Sequence, residues 1–350
     1  MQAWCVSLRE SLAVLETHMD SHVIRIGCEH GTITQQLAAA LEDTSRPLVQ
    51  LFFTTYCESQ PQHASIAMES LVLLSSTRKS IFTSDKGRMV FLTQLMTGIA
   101  EILRGQTSTI ATLPNDAPRR PRVFDGRPCI YEVACVCIDL QNQSCHHEFC
   151  RLLARLRANF QLNLLIQADG YFEWITMVCN FTVKTLHAWQ WAPNSTFYLL
   201  STWASLVRGL PFMRPGTPNH VPELVPQVFK AYVISRLESV ATCMADDTIE
   251  DPLEDEEITK QHLEHLPPIA RCTYSTCCED IVALFDPLAT RLQEVVASGA
   301  ADENLLRQLD GQLAWLIYII GTIAGGRTPP QSDGTNLYLL ACSPLHSSDS

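Results

Sequence analysis

The sequence predicts an all-α fold, a right-handed α-solenoid of HEAT-like antiparallel helix pairs. Four observations carry this reading. From Ala64 to Ala324, apolar stripes at three- and four-residue steps alternate with turns, which is the period of a helix with one buried face. Helix pairs recur close to the about 40–47 residues of a HEAT unit, although no short string repeats. The stretch Asn180–Asn194 runs an amphipathic helix into Trp189 and Trp191, stops it at Pro193 and restarts a helix from Asn194. Finally, 350 residues with 46% hydrophobic content and a mean hydropathy of +0.05 make a long chain for one core. A stacked array needs no single core.

Residues 1–48 carry Leu8, Leu12 and Leu15 at helical spacing but are otherwise ambiguous. Residues 49–104 read as HEAT-like helices. Ala64–Phe82 places Ile66, Leu71, Leu74 and Ile81 near one face, with Arg78 and Lys79 at its exit, where cations suit the helix dipole. Ser84 and Asp85 are cap residues for a second helix with the stripe Phe91, Leu95, Ile99, Ile102 and Leu103. Residues 105–145 break the pattern: Pro114, Pro118, Pro121 and Pro128 with Arg119, Arg120 and Arg122 predict a loop or disordered insertion. Its end, Ile130–Leu140, is the one strand-like run.

Helical order resumes over 146–327. His147–Phe160 turns Phe149, Leu152, Leu153 and Leu156 inward, and Tyr171–Gln190 lines up Phe172, Ile175, Cys179, Val183 and Leu186. Asn194 caps Ser195–Arg208, whose stripe is Phe197, Leu200, Trp203 and Val207. A turn containing Pro211, Pro215, Pro218, Pro222 and Pro226 leads to Val225–Met244, with Val228, Tyr232, Ile234 and Leu237. Helices are then expected at Glu257–His265, Thr276–Ala297 and Glu303–Ala324, the last closed by Gly325 and Gly326. Residues 328–350 read as a disordered tail.

Composition excludes several function classes. A formal net charge of −12 is the wrong sign for nucleic acid, whose phosphates call for a basic stripe. The longest apolar run, Leu313–Ala324, is a dozen residues, short of the about 20 that cross a bilayer, so no membrane insertion is expected. The 14 cysteines follow no regular spacing and read as reduced and mostly buried. The group Cys145-His146-His147-Glu148-Phe149-Cys150 is rich in metal-ligand types but lacks a second ligand pair, so no metal or cofactor is expected. Neither a nucleophile elbow nor a phosphate loop is present, and the chain reads as a non-enzyme.

One charged feature stands out. Eight of the twelve residues in 246–257 are acidic: Asp246, Asp247, Glu250, Asp251, Glu254, Asp255, Glu256 and Glu257. Self-repulsion and Pro252 would keep such a loop extended. The same charge makes it the candidate docking surface for a basic partner patch.

Several strings resemble one family: His147-Glu-Phe-Cys-Arg-Leu-Leu-Ala-Arg-Leu156, Asn180-Phe-Thr-Val183, Ala192-Pro-Asn194, Tyr198-Leu-Leu200 and Lys230-Ala-Tyr232. Ser235-Arg-Leu-Glu-Ser-Val240, Glu250-Asp-Pro-Leu253, Leu316-Ile-Tyr-Ile-Ile-Gly321 and Gly325-Gly-Arg327 continue the series in the same order. Together they resemble the exportin-7 (Ran-binding protein 16) family of importin-β-like nuclear transport receptors, best over 146–327. The resemblance implies an internal segment of a longer HEAT-repeat receptor that binds Ran in its GTP form and protein cargo. It also implies passage between nucleus and cytoplasm through the nuclear pore, and contact with nuclear pore proteins. In the superfamily, Ran contacts come mainly from N-terminal repeats and also from acidic elements near the middle of the arch, a place that loop 246–257 could take. The alternative is a non-transport HEAT-repeat scaffold for protein–protein interaction.

Overall fold

The computed structural model describes residues 61–82, 84–104, 143–246, 248–298 and 303–325. Expectations for 1–48, for most of the 105–145 insertion with its arginines and strand-like end, and for the 328–350 tail lie outside the described residues. What is described is all-α, with no strand among the described residues. The chain divides into two compact units, residues 1–185 with 191–220, and residues 186–190 with 221–350.

In the first unit the helices are α1 (Pro61–Ser75), α2 (Asp85–Arg104), α3 (Gln143–Asn159), α4 (Leu162–Gln167), α5 (Tyr171–His187, its last two residues belonging to the second unit) and α6 (Pro193–Gly209). Helix α3 packs against both α1 and α6. It turns Phe149, Leu152, Leu153 and Leu156 into the core, as its periodicity predicts, and buries Cys150 with them. Polar ties join the helix ends. Asn159 Nδ2 donates to the Ser75 carbonyl at 2.7 Å, and Arg88 donates to the Asn159 carbonyl at 2.8 Å. Arg157 donates to the carbonyls of Phe160 at 3.1 Å and Ser205 at 2.5 Å. Ser75 and Asn159 are the last residues of α1 and α3, whose terminal carbonyls have no partner within their own helix.

Several boundaries differ from the sequence reading, each for a local reason. Helix α1 ends at Ser75 instead of running to Phe82, and a short 3₁₀ turn, Lys79–Ile81, follows. Ser75 and Ser76 both turn their hydroxyls onto the Val72 carbonyl, at 2.7 and 3.1 Å, a competition with the backbone that suits a helix end. Ser84 does cap α2, accepting from the Gly87 amide at 3.0 Å. Helix α3 starts at Gln143, inside the segment assigned to the insertion, and Gln143 Nε2 donates to the Trp191 carbonyl at 2.5 Å. Pro193 begins α6, so Asn194 lies inside the helix and Ala192 is the cap residue. Proline at the first helical position has no amide to lose and a favourable φ. On α5, Phe172 is 41% exposed, lying 4.7 Å from the His220 ring, while Tyr171 and Trp174 take the core positions.

The second unit holds α7 (Val221–Ala245), α8 (Glu256–Leu263), α9 (Leu266–Cys272), α10 (Tyr274–Ser298) and α11 (Glu303–Gly325). Helix α7 packs on α9, α10 and α11, and α11 also packs on α9 and α10. Pro222 and Pro226, expected in a turn, fall within α7: Pro222 lies in the first turn, where amides have no helical partner to lose, whereas Pro226 lies inside the helix and removes one amide donor without ending it. The short α9 was not expected; Pro267 and Pro268 open it, again at the positions proline tolerates. Close approach of α7 and α11 depends on Gly311: a Cβ there would sit 2.8 Å from Val240 Cγ1. Gln312 Nε2 reaches the Leu237 carbonyl at 3.2 Å, and Arg271 donates to the Ile323 carbonyl at 2.7 Å near the end of α11. The apolar run in α11 buries Trp315, Leu316 and Ile319 but leaves Ile317 63% and Tyr318 58% exposed, so it is amphipathic and not wholly buried. No helix of the described residues is long and apolar enough to cross a membrane.

Candidate functional site

The acidic segment joins the C-terminus of α7 to α8, and its carboxylates divide into two sets. Three aspartates hold the loop's own backbone. Asp246 Oδ1 accepts from the Thr248 amide at 3.0 Å and from its hydroxyl at 2.6 Å. The hydroxyl bond, then the amide bond, holds the Asp246 carboxyl below its ordinary pKa. Asp251 Oδ1 accepts from the Leu253 amide at 2.9 Å, and Asp255 Oδ1 caps α8 through the Ile258 amide at 3.0 Å. These are the turn and cap geometries for which aspartate is suited, because its short side chain reaches an amide two or three residues on.

The glutamates point elsewhere. Glu250, Glu254, Glu256 and Glu257 are all exposed, and Glu257 Oε1 accepts from Gln261 Nε2 at 2.9 Å. Asp247 lies outside the described residues. Two bonds fasten the loop to its surroundings: the Thr259 hydroxyl donates to the Pro252 carbonyl at 2.6 Å, and Cys243 Sγ lies 3.8 Å from the Glu250 carbonyl. The segment thus presents an ordered turn with glutamates facing solvent, a geometry suited to a polycationic surface.

Beneath the loop lies a residue that sequence reasoning did not single out as a site. Arg236 is 4% exposed, and the field of Asp251 reaches it. Desolvation by burial lowers its pKa, and Tyr232 opposes that first. The available signal was an arginine in phase with the apolar face of α7, next to Leu237.

The histidine–cysteine group on α3 is a packing cluster. His146 Nε2 lies 3.1 Å from Thr185 Oγ1, Nδ1 lies 3.4 Å from Ser195 Oγ, and the ring meets Trp191 edge-on at 4.7 Å. Burial, and then the neighbouring His147, lowers the His146 pKa to about 4, and burial pushes the Cys150 thiol up. A neutral imidazole beside a protonated thiol is not the thiolate–imidazolium pair of a reactive cysteine. No group of three metal-ligating side chains occurs among the described residues.

Comparison with known proteins agrees with this helical architecture. Residues 240–337 match the family model for the exportin-7-like TPR domain. The chain is 38% identical over 279 residues to Exportin-7-A of Xenopus laevis, covering 80% of this chain and 23% of that protein. It is 34% identical over 281 residues to Ran-binding protein 17 of Homo sapiens, with 80% and 23% covered. Ran-binding protein 16 of Drosophila melanogaster is 34% identical over 279 residues, with 80% and 22% covered. The chain therefore spans less than a quarter of the length of these relatives. The α-solenoid helices, the matching family model and relatives aligned over most of this sequence agree, and the chain belongs to the exportin-7-like family, matching one segment of its members.

Proposed function

We propose that the chain works as part of an exportin-like nuclear transport receptor that binds Ran in its GTP form together with protein cargo. In this reading it moves between cytoplasm and nucleus through the nuclear pore, in contact with nuclear pore proteins, and works by reversible binding without catalysis. The observation that supports it most is the 38% identity to Exportin-7-A over 80% of the chain. Loop 246–257 is the candidate contact. Its solvent-facing glutamates supply charge, while the aspartate-bonded turn supplies order, so a basic partner need not pay the full entropy of immobilising the loop. Long-range attraction would speed encounter and weaken as salt rises.

The test is binding of the protein to Ran loaded with a non-hydrolysable GTP analogue or with GDP, at low and moderate salt. The expected result is preference for the GTP form, reduced by salt. The combined Glu250→Gln, Glu254→Gln, Glu256→Gln and Glu257→Gln variant should weaken it at least several-fold with unchanged helicity. Equal or absent binding to both forms by well-folded protein would overturn the Ran assignment and favour the scaffold reading. Unchanged affinity in the glutamine variant would remove the loop from the interface.

A further inference from the structure

Arg236 on α7 is the one charged side chain buried among the described residues. Its guanidinium carbon lies 5.4 Å from the Trp189 ring centroid, 5.5 Å from Tyr232 and 5.7 Å from Trp315. Aromatic rings stabilise a planar cation through their π faces, but they leave its N–H edge unserved. The side chain's hydrogen bond is Nε to Ser235 Oγ at 3.4 Å, at the long limit, and Ser235 donates its own proton to the Tyr232 carbonyl at 2.8 Å. No carboxylate forms an ion pair with Arg236 among the described residues. Asp251, the carboxylate whose field reaches it, has one oxygen engaged by the Leu253 amide at 2.9 Å.

The surrounding rings make the imbalance larger. Tyr232 Oη and Trp315 Nε1 are both buried and have no hydrogen-bond partner. The indole can only donate, the guanidinium can only donate, and the phenol can do so. His262 lies against the Tyr232 ring at 6.3 Å, its pKa lowered to about 3 by burial first and the Arg236 charge second, so it stays neutral and adds no second positive charge. The result is a small region of one positive charge and two buried donors without a partner, the Tyr232 phenol and the Trp315 indole. Buried donors of this kind call for acceptors, and a buried charge calls for its opposite.

We propose that Arg236, Tyr232 and Trp315 form a binding site for a small oxyanion of the phosphate or sulfate class. The guanidinium edge would supply paired N–H donors to two oxygens, and the phenol and indole would take the remaining ones. With Arg236 only 4% exposed, the ligand is a free ion and not a phosphorylated surface of another protein. The site is separate from the glutamates of the acidic loop and does not rest on their role.

The test uses the full chain and inorganic phosphate, with chloride exchanged to hold ionic strength constant. Thermal unfolding and tryptophan fluorescence are followed across the titration. The expected outcome is a saturable rise in the unfolding midpoint and a matching fluorescence change, with sulfate competing. The combined Tyr232→Phe and Trp315→Phe variant keeps aromatic rings beside the guanidinium but removes both donors. It should lose at least tenfold in apparent phosphate affinity. Trp315→Phe alone carries the same test if the pair does not fold. Equal midpoints in phosphate and chloride would overturn the proposal and assign the donors to water. A saturable response undiminished in the variants would overturn it as well, by placing phosphate elsewhere.

Discussion

Trp203 donates its indole N–H to Thr182 Oγ1 at 3.0 Å, and Thr182 passes its own proton to the Val178 carbonyl at 2.8 Å. Both side chains are fully buried, so this relay satisfies the one polar atom of the largest core residue on α6. Thr182→Val keeps the shape but leaves the indole donor unpaired. It should destabilise the fold by about 1–3 kcal/mol, measured by urea unfolding. The half-buried Thr176, whose hydroxyl bonds the Phe172 carbonyl of its own helix, is the control: Thr176→Val should change stability by less than about 0.5 kcal/mol.

Two glycines of α11 should respond with opposite signs. Alanine at either position gains about 1 kcal/mol of helix propensity. At Gly321 nothing lies within 4 Å of the new methyl, so Gly321→Ala should stabilise by most of that amount. At Gly311 the methyl would meet Val240 Cγ1 at 2.8 Å, and overpacking costs about 1–3 kcal/mol. Gly311→Ala should therefore be net destabilising. Chemical denaturation of the two single variants decides it, and equal effects would mean that α7 and α11 do not approach this closely.

The repeating amphipathic helices were legible because burial imposes a 3.6-residue period that α2, α3 and α6 obey. What the period does not encode is where a helix stops. Ser75 and Ser76 end α1 by bonding back to Val72, whereas Pro226 and Pro287 sit inside α7 and α10 without ending them. Proline is informative only once the helix start is known. The acidic loop was legible as charge, but its division into aspartates bonded to the backbone and glutamates facing solvent depends on distances of two or three residues in a particular turn. The Arg236 cage draws rings from Trp189, Tyr232 and Trp315, far apart in sequence, and no local pattern announces it.

Acid should weaken the fold before most carboxylates titrate. The unfolded chain protonates its histidines near the ordinary pKa of about 6.5. Folded His146 resists protonation until about 4 and His262 until about 3, chiefly because burial disfavours the cation. Below about pH 6.5 the unfolded state thus binds more protons, and stability falls as pH falls. Each imidazole contributes a slope of about 1.4 kcal/mol per pH unit, ending near its own folded value. Urea unfolding between pH 7.5 and 5 should show this decline. His146→Gln, which keeps a polar side chain between Thr185 and Ser195, should remove about one proton's worth of slope. An unchanged slope would mean that His146 is not held neutral.

Asp255 separates the loop's two duties in one position. Its carboxylate caps α8 through the Ile258 amide at 3.0 Å, and it also adds to the acidic surface. Asparagine caps as well as aspartate but carries no charge, whereas alanine does neither. Asp255→Asn should hold stability nearly level, apart from a small loss of favourable charge at the α8 N-terminus. Asp255→Ala should cost about 1 kcal/mol. Glu256→Gln, which removes a charge in the first turn without touching the cap, should resemble the asparagine variant. If alanine and asparagine prove equal in denaturant unfolding, the cap does not order the loop, and the exposed glutamates lose the rigid turn that presents them.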